Sequence, residues 1–221
     1  MKLIQRPVFY HAIIVLGLIA LSLLVSGVMP AKTRLLAGEW LQGLTPRGSP
    51  QIESFSQVEA TELERSRLRD QLSLSRERAK HHLKVAVYFF SNYYMSILIA
   101  FVMGAIAAVA LFFIAKVGYA QASPYIITVF VTTTVLATFY GAFPSVFRQQ
   151  ENVAENKTLY LRYIALQNEM LSYSATGTDS TGKKIPAKEY IAYIDRELNK
   201  VNNIAVGFDA TKIPAVKFDL K

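Results

Sequence analysis

Residues 84–148 read KVAVYFFSNYYMSILIAFVMGAIAAVALFFIAKVGYAQASPYIITVFVTTTVLATFYGAFPSVFR, and they decide the fold of this chain. Between Lys84 and Lys116 there are 31 uncharged residues, and between Lys116 and Arg148 there are another 31. A helix of about 20 apolar residues can cross a bilayer, so each run is long enough to span one. Glycine, serine and proline punctuate residues 118–124, where we expect a short loop. The stretch therefore predicts a hairpin of two transmembrane helices.

A third uncharged run, from Pro7 to Ala31, precedes the hairpin. Because Lys2 and Arg6 stand before it, this run also resembles a secretory signal peptide. Its apolar part is long for a signal peptide, and it ends without a good small-residue cleavage site. The sequence therefore favours a retained first transmembrane helix, or signal anchor, in residues 1–31 rather than a removed signal peptide. The predicted fold class is all-α and integral to the membrane, with three transmembrane helices.

Several glycines and prolines follow in 32–55, which predicts a linker. The apolar residues around Trp40 are compatible with a short amphipathic segment on the bilayer surface or with an ordinary loop. Next, Ser56 and Glu59 have the spacing of a capping box, which predicts a helix start near Ser56. No Gly or Pro interrupts 51–103, so this charged helix is expected to run directly into the second span.

Basic residues cluster where the predicted hairpin leaves the membrane. We expect them to contact lipid headgroups, which attract each nearby basic residue by about 1 kcal/mol. They are Arg76, Arg78, Lys80, Lys84 and Arg148.

Small residues at i,i+4 spacing allow helices to approach closely inside lipid. The second span carries one such row, and the third span carries another. We expect the two rows to face each other across the hairpin or to face a second copy of the chain. The rows are Ala100, Gly104 and Ala108, and Thr133, Ala137 and Gly141.

A heptad pattern follows the hairpin. Its apolar positions, spaced 4, 3, 4 and 3 residues apart, are Leu159, Tyr163, Leu166, Met170 and Tyr173. This seam is short for a coiled coil, and it is expected to pack on Leu68, Leu72 and Ala79 of the preceding charged helix. The hairpin and its two flanking helices thus form the predicted segment 56–173. The remaining segment, 174–221, is predicted to hold a loop, a helix opened by Pro186, and a tail from Phe208 that is either a docking peptide or a frayed end.

Positive residues mark the cytoplasmic side of a membrane protein. Seven Lys or Arg residues lie between Arg65 and Lys84, whereas the hairpin loop offers Lys116 alone. Both long helices are therefore expected in the cytoplasm, at a bacterial inner membrane. The first span then has its N-terminus outside, which Lys2 and Arg6 oppose about as strongly as Lys32 and Arg34 favour it. If that span runs the other way, all three spans invert.

The sequence does not favour nucleic-acid binding or an enzyme. The net charge is +8, but residues 148–221 carry 11 basic and 9 acidic side chains, without an aromatic and basic platform. Cysteine is absent. Residues 177–184 match G-x-x-x-x-G-K, yet Lys184 stands where a magnesium-binding hydroxyl is needed, so a loop is the better interpretation. We expect no catalytic, cofactor or metal site, and we expect His11 to pack at the interface rather than carry protons or bind a cofactor.

The basic helix around Arg76 to Lys84, the hairpin, and the heptad from Leu159 to Tyr173 together resemble the SLATT-type two-span membrane proteins of bacteria. The resemblance covers about Ser56 to Tyr173 and consists of layout alone. It implies a pore-forming effector regulated by a partner domain. The additional first span and the helix after Pro186 depart from that layout, and we expect no fused sensor domain.

Two functional hypotheses follow. In the first, the chain is a non-enzymatic membrane protein that self-associates through its hairpin and is a candidate to form a pore. In the second, it is a structural or assembly subunit of a larger membrane complex and docks through its soluble helices. The expected partners are membrane lipids together with further copies of the chain or other membrane subunits.

Overall fold

A computed structural model of the chain describes residues 9–25, 27 and 50–206. These residues form six α-helices and no strand, so the predicted all-α class is confirmed for this part of the chain. The helices are α1 (Phe9–Val25), α2 (Pro50–Glu53), α3 (Glu62–Val117), α4 (Pro124–Val146), α5 (Gln149–Thr176) and α6 (Ala187–Val206). Two segments, Glu62–Val117 and Pro124–Thr176, are long and apolar enough to cross a membrane. The residues around Trp40, the basic residues that flank the first run, and the tail from Phe208 lie outside the described residues.

Helix α3 is continuous over 56 residues, as the lack of Gly and Pro predicted, but it begins later than expected. The capping box is formed by Thr61 and Glu64: the Thr61 N–H donates to the Glu64 carboxylate at 2.8 Å, and the Glu64 N–H donates to Thr61 Oγ1 at 3.3 Å. This bonding lowers the pKa of Glu64. The predicted start at Ser56 is wrong because the chain turns at Phe55, where φ is 56°, and buries both Phe55 and Val58.

Short connections join the next helices. Gly118, at φ 84°, follows α3, and a 3₁₀ turn over Tyr119–Gln121 leads to α4, which opens with Pro124 at its first position. A proline at that position sacrifices no helical hydrogen bond. After α4, Phe147 and Arg148 form a turn in which Arg148 adopts φ 47°, and α5 begins at the next residue.

The described chain divides into two compact units. The apolar unit holds residues 9–25, 27 and 85–154, and the bundle unit holds residues 50–84 and 155–206. These units cut across the segments expected from the sequence. Phe55, from the predicted linker, and α6, from the predicted C-terminal segment, both belong to the bundle core.

In the bundle unit, one apolar core joins α6 with the parts of α3 and α5 that belong to this unit. Tyr173 of α5 and Tyr190 of α6 stack with their ring centroids 3.7 Å apart and an interplanar angle of 14°. Both side chains are fully buried. Such a stack is worth about 0.5–1.5 kcal/mol beyond the burial of its area. The aromatic pair therefore fixes α6 against α5.

In the apolar unit, α1 runs alongside α4 in the same direction. Near the start of both helices, His11 Nδ1 lies 2.7 Å from Thr128 Oγ1. Eleven residues further along α1, Ser22 Oγ accepts a hydrogen bond of 3.4 Å from the Tyr140 hydroxyl. Because both contacts advance along the two helices together, α1 and α4 are parallel.

Two tyrosine hydroxyls of the bundle core allow a matched stability test. The Tyr163 hydroxyl donates to Asn202 Oδ1 at 2.6 Å, whereas the buried Tyr190 hydroxyl has no hydrogen-bond partner among the described residues. We expect Tyr163→Phe to destabilise the bundle by about 1 kcal/mol, because it removes a hydrogen bond, and Tyr190→Phe to be neutral or stabilising. Amide hydrogen exchange of α5 and α6 in the full chain measures both. Equal losses in the two variants would contradict this assignment.

Candidate helix-packing and membrane-flanking surfaces

Many large apolar side chains are exposed on α3 and α4 in the apolar unit. Phe101 is 74% exposed, Phe112 66%, Val135 61% and Phe139 57%. Within α4, only Thr133 and Pro144 are buried. Apolar side chains are normally the most buried class in a water-soluble protein, and a contiguous exposed set marks a surface that contacts another apolar phase or a partner.

The buried face of α3 in this unit differs from the predicted row of small residues. Ala100 and Gly104 are half-buried and Ala108 is exposed. The buried residues are Met95, Ile99, Met103, Ala107, Ala110 and Ile114. Successive residues of a helix point about 100° apart. The row of small residues therefore lies beside the buried face rather than on it.

The two predicted rows meet at one place. A Cβ atom on Gly141 of α4 would lie 3.9 Å from the Cβ atom of Ala100 on α3, an ordinary van der Waals contact. Around Gly104, by contrast, a Cβ atom would have no neighbour within 4 Å among the residues that the structure describes. Ala137 is half-buried. The structure thus brings together Ala100 and Gly141 and leaves Gly104 and Ala108 facing open space.

Thr133, the remaining member of the α4 row, is fully buried and forms its hydrogen bond within α4. Its hydroxyl donates to the Val129 carbonyl at 2.7 Å. Thr134 and Thr138 likewise donate to the carbonyl four residues earlier, at 2.8 and 2.9 Å. Back-bonding of this kind satisfies a hydroxyl without a partner helix.

His11 contacts α4 through a polar and an aromatic group. His11 Nδ1 lies 2.7 Å from the Thr128 hydroxyl oxygen, which also lies 3.0 Å from the Pro124 carbonyl oxygen. The imidazole ring also lies 5.0 Å from the Tyr125 ring. Both contacts are those of a packed side chain.

The predicted headgroup residues fall into two groups. Arg78, Lys80 and Lys84 are exposed. Arg76 instead forms a two-pronged ion pair with Glu53 of α2, at 2.7 and 3.2 Å, and Arg148 pairs with Glu151. The guanidinium of Arg76 therefore stabilises the fold of the bundle unit.

All five residues of the predicted heptad seam are buried in the bundle core, in one cluster with their expected partners. The seam is therefore occupied within the chain. Its residues are Leu159, Tyr163, Leu166, Met170 and Tyr173, and the partners are Leu68, Leu72 and Ala79.

A polar layer inside the bundle was missed by the sequence analysis. Gln167 Nε2 donates to the Ser75 carbonyl at 3.2 Å, Ser75 Oγ donates to the Tyr163 carbonyl at 3.2 Å, and Gln71 Nε2 donates to Asp195 Oδ1 at 2.8 Å. Gln71 and Ser75 share one helix face with Leu68, Leu72 and Ala79. Because these buried positions are polar, a search for apolar residues alone does not find them. The helical period that joins Leu68, Leu72 and Ala79 does include them.

The loop that matches G-x-x-x-x-G-K is a closed turn. An isolated bridge joins Thr178 to Lys184, and the Asp179 carboxylate accepts hydrogen bonds from the Thr181 N–H, the Thr181 hydroxyl and the Lys183 N–H at 2.7–3.0 Å. This bonding lowers the pKa of Asp179. The amides that would have to bind phosphate thus already bind a carboxylate. In the part of the chain that the structure describes, no three His, Asp or Glu residues are placed to hold a metal ion.

The surroundings of Glu169 in the bundle disfavour the charged form of its carboxyl group. Glu169 Oε2 accepts a hydrogen bond from the Tyr193 hydroxyl at 3.2 Å, and Glu169 Oε1 is buried with no hydrogen-bond partner among the described residues. Burial raises the pKa of Glu169 above its ordinary value of 4.5. Burial, followed by the charge of Glu169, raises the pKa of Tyr193 to about 12.

The variant Glu169→Gln tests whether the charged carboxylate of Glu169 destabilises the bundle. A carboxyl whose pKa is raised by folding stabilises the folded state below its ordinary pKa, and that contribution is lost as the pH rises through the raised value. We expect Glu169→Gln to stabilise the bundle at pH 7 by at most about 1 kcal/mol, since the carboxyl is partly solvated and its interactions are screened. Below pH 4 the gain should vanish. Hydrogen exchange of α6 at both pH values measures the difference, and a loss of stability at pH 7 would contradict the expectation.

No protein-family model matches the chain, and no curated protein or solved structure shows significant similarity to it. The resemblance to the SLATT-type layout therefore stays a prediction.

Proposed function

We propose that this chain is a non-enzymatic, multi-pass integral membrane protein that self-associates through its hairpin and is a candidate to form a pore. In this proposal α1, residues 85–117 of α3, and α4 cross the bilayer. The bundle unit lies in the cytoplasm, and the expected location is a bacterial inner membrane.

The exposed apolar surface of the apolar unit carries the proposal. A helix satisfies its own backbone polar groups, so only its side chains have to match the surroundings. Phe101, Phe112 and Phe139 match hydrocarbon, and in water their exposure would cost about 1.5–3 kcal/mol for each side chain that could otherwise be buried.

The parallel contacts of α1 and α4 support the proposed three-span topology. The described part of α1, Phe9–Val25, is an apolar helix of 17 residues, which is about the minimum length for a transmembrane span. Since α1 runs parallel to α4, its N-terminus lies on the side of the hairpin loop. Few basic residues occupy that loop, and the positive-inside rule then favours an outside N-terminus for α1.

Self-association is proposed at Gly104 and Ala108. The two residues are one helical turn apart and face open space, so a second helix can approach the α3 backbone there. The heptad seam does not contribute, because it is buried within the bundle unit.

The alternative is that the chain is a subunit of a larger membrane complex. It also predicts membrane residence, but it predicts a different composition of the purified complex. It predicts purification at a fixed ratio with unrelated subunits. Solitary homo-oligomers would count against it.

The test of membrane residence and assembly is purification of the full chain. We expect alkaline carbonate to leave the chain in the membrane pellet, and mild detergent to release a homo-oligomer of defined mass by light scattering. We expect reconstituted vesicles to leak a small dye. A chain extracted by carbonate, or a monomer at all concentrations, would contradict the proposal.

Substitutions on α3 test the contact surface. Replacing Gly104 and Ala108 by Leu should shift the oligomer towards monomer by roughly ten-fold or more in dissociation constant, because the helices can no longer approach closely. Val102→Leu with Val109→Leu is the matched control, since both valines are exposed and lie roughly 100–160° around the helix from Gly104 and Ala108. Equal effects of the two double variants would refute Gly104 and Ala108 as the contact.

A further inference from the structure

A cleft of about 360 Å³ opens in the apolar unit where the second uncharged run ends. Ile97, Gly141 and Pro144 line the cleft and are called its floor, and the charged residues Arg148 and Glu151 are called its rim. Tyr93, Ser145 and Gln150 also line the cleft. Small-molecule sites commonly have volumes of about 300–1,000 Å³, so the cleft suits a headgroup rather than a large ligand.

The rim is held by specific contacts. Arg148 occupies the turn between α4 and α5 at φ 47°, a conformation that costs a non-glycine residue about 1–3 kcal/mol and that concentrates at functional sites. Its guanidinium pairs with the Glu151 carboxylate. On the other wall, the Gln150 amide donates to the Tyr93 hydroxyl, which joins the start of α5 to α3.

The charges of the rim select among ligands. Arg148 and Glu151 are each about half-exposed, at 51% and 54%, so both can contact a ligand, and together they carry no net charge. A guanidinium has five N–H donors, and a carboxylate can accept further hydrogen bonds while it is paired. The complementary ligand has an anionic oxygen group for Arg148 and a cationic N–H donor for Glu151. A purely anionic headgroup would meet the Glu151 carboxylate, and a trimethylammonium headgroup has no N–H to donate.

We propose that this cleft binds the headgroup of an ethanolamine phospholipid, with its phosphate on Arg148, its ammonium on Glu151, and an acyl chain along Ile97 and Gly141. The inference rests on the proposed membrane residence and deepens it, because it names a specific lipid. Ile97 lines the cleft and is 44% exposed, so an acyl chain can contact it, which favours a lipid over a free phosphoethanolamine. The sequence predicts that Arg148 contacts lipid headgroups, and its ion pair with Glu151 favours a zwitterionic headgroup.

The experiment is native mass spectrometry of the full chain in mild detergent. The protein is mixed with equal amounts of ethanolamine, choline and glycerol phospholipids that have identical acyl chains. We expect retention of the ethanolamine lipid over each of the others by roughly five-fold. Water-soluble phosphoethanolamine is added as a competitor in a separate arm, and displacement of the lipid at equal concentration would overturn the assignment to a lipid.

Two variants separate the roles of the rim charges. Glu151→Gln removes the carboxylate and should reverse the preference towards the anionic glycerol lipid. Arg148→Gln should weaken retention of all three lipids, because each carries a phosphate. Both variants break the same ion pair, so a merely structural effect would change them alike, and that result would refute the proposal. Arg162→Gln is the matched control, an exposed arginine on α5 outside the cleft, and should leave the preference unchanged.

Failure of this inference is distinguishable from failure of the proposed function. A chain that alkaline carbonate extracts from membranes overturns membrane residence and the lipid site together. A chain that stays in the membrane but retains the three lipids equally overturns the lipid site alone.

Discussion

The uninterrupted backbone hydrogen bonding of α3, from Glu62 to Val117, is the constraint on which the rest of the structure depends. A helix leaves only its ends in need of polar partners, so its interior can pass from one kind of surroundings to another without breaking. The same helix thus serves two units with opposite surfaces. In residues 62–84 it places charge outside and buries a narrow stripe, whereas in residues 85–117 its exposed side chains are mainly apolar.

The bundle unit obtains its order from polar as well as apolar burial. Its core combines the stacked rings of Tyr173 and Tyr190 with a hydrogen-bonded layer around Ser75 and Gln167. Apolar contacts tolerate sliding, but a buried amide that donates to one carbonyl has a single good position. The layer therefore sets the register of α3 against α5. The Tyr190 hydroxyl has no hydrogen-bond partner among the described residues, and burial raises the pKa of Glu169, so two polar groups of this core lower its stability.

Sequence reasoning failed where a local signal competed with burial. Ser56 and Glu59 have capping-box spacing, yet Phe55 is drawn into the core, and the resulting turn moves the helix start to Thr61 and Glu64. The spacing of the small-residue row on α3 leaves open whether the row faces α4 or a second copy, because spacing cannot say which side of an apolar helix contacts protein within the chain. Likewise the charge of Arg76 was visible in the sequence, whereas its partner, Glu53, lies 23 residues away and depends on the fold.

The sequence by itself determined the helical class, the two long uncharged runs, the loop at Gly118, and the seam from Leu159 to Tyr173, because each follows from periodicity and charge within one segment. Only the tertiary structure decided the start of α3, the parallel direction of α1 and α4, the enclosure of α6 in the bundle, and the union of Arg148 and Glu151 with the apolar floor of one cleft. These features depend on contacts between residues far apart in the chain, and short-range patterns carry no information about which distant partner lowers the free energy most.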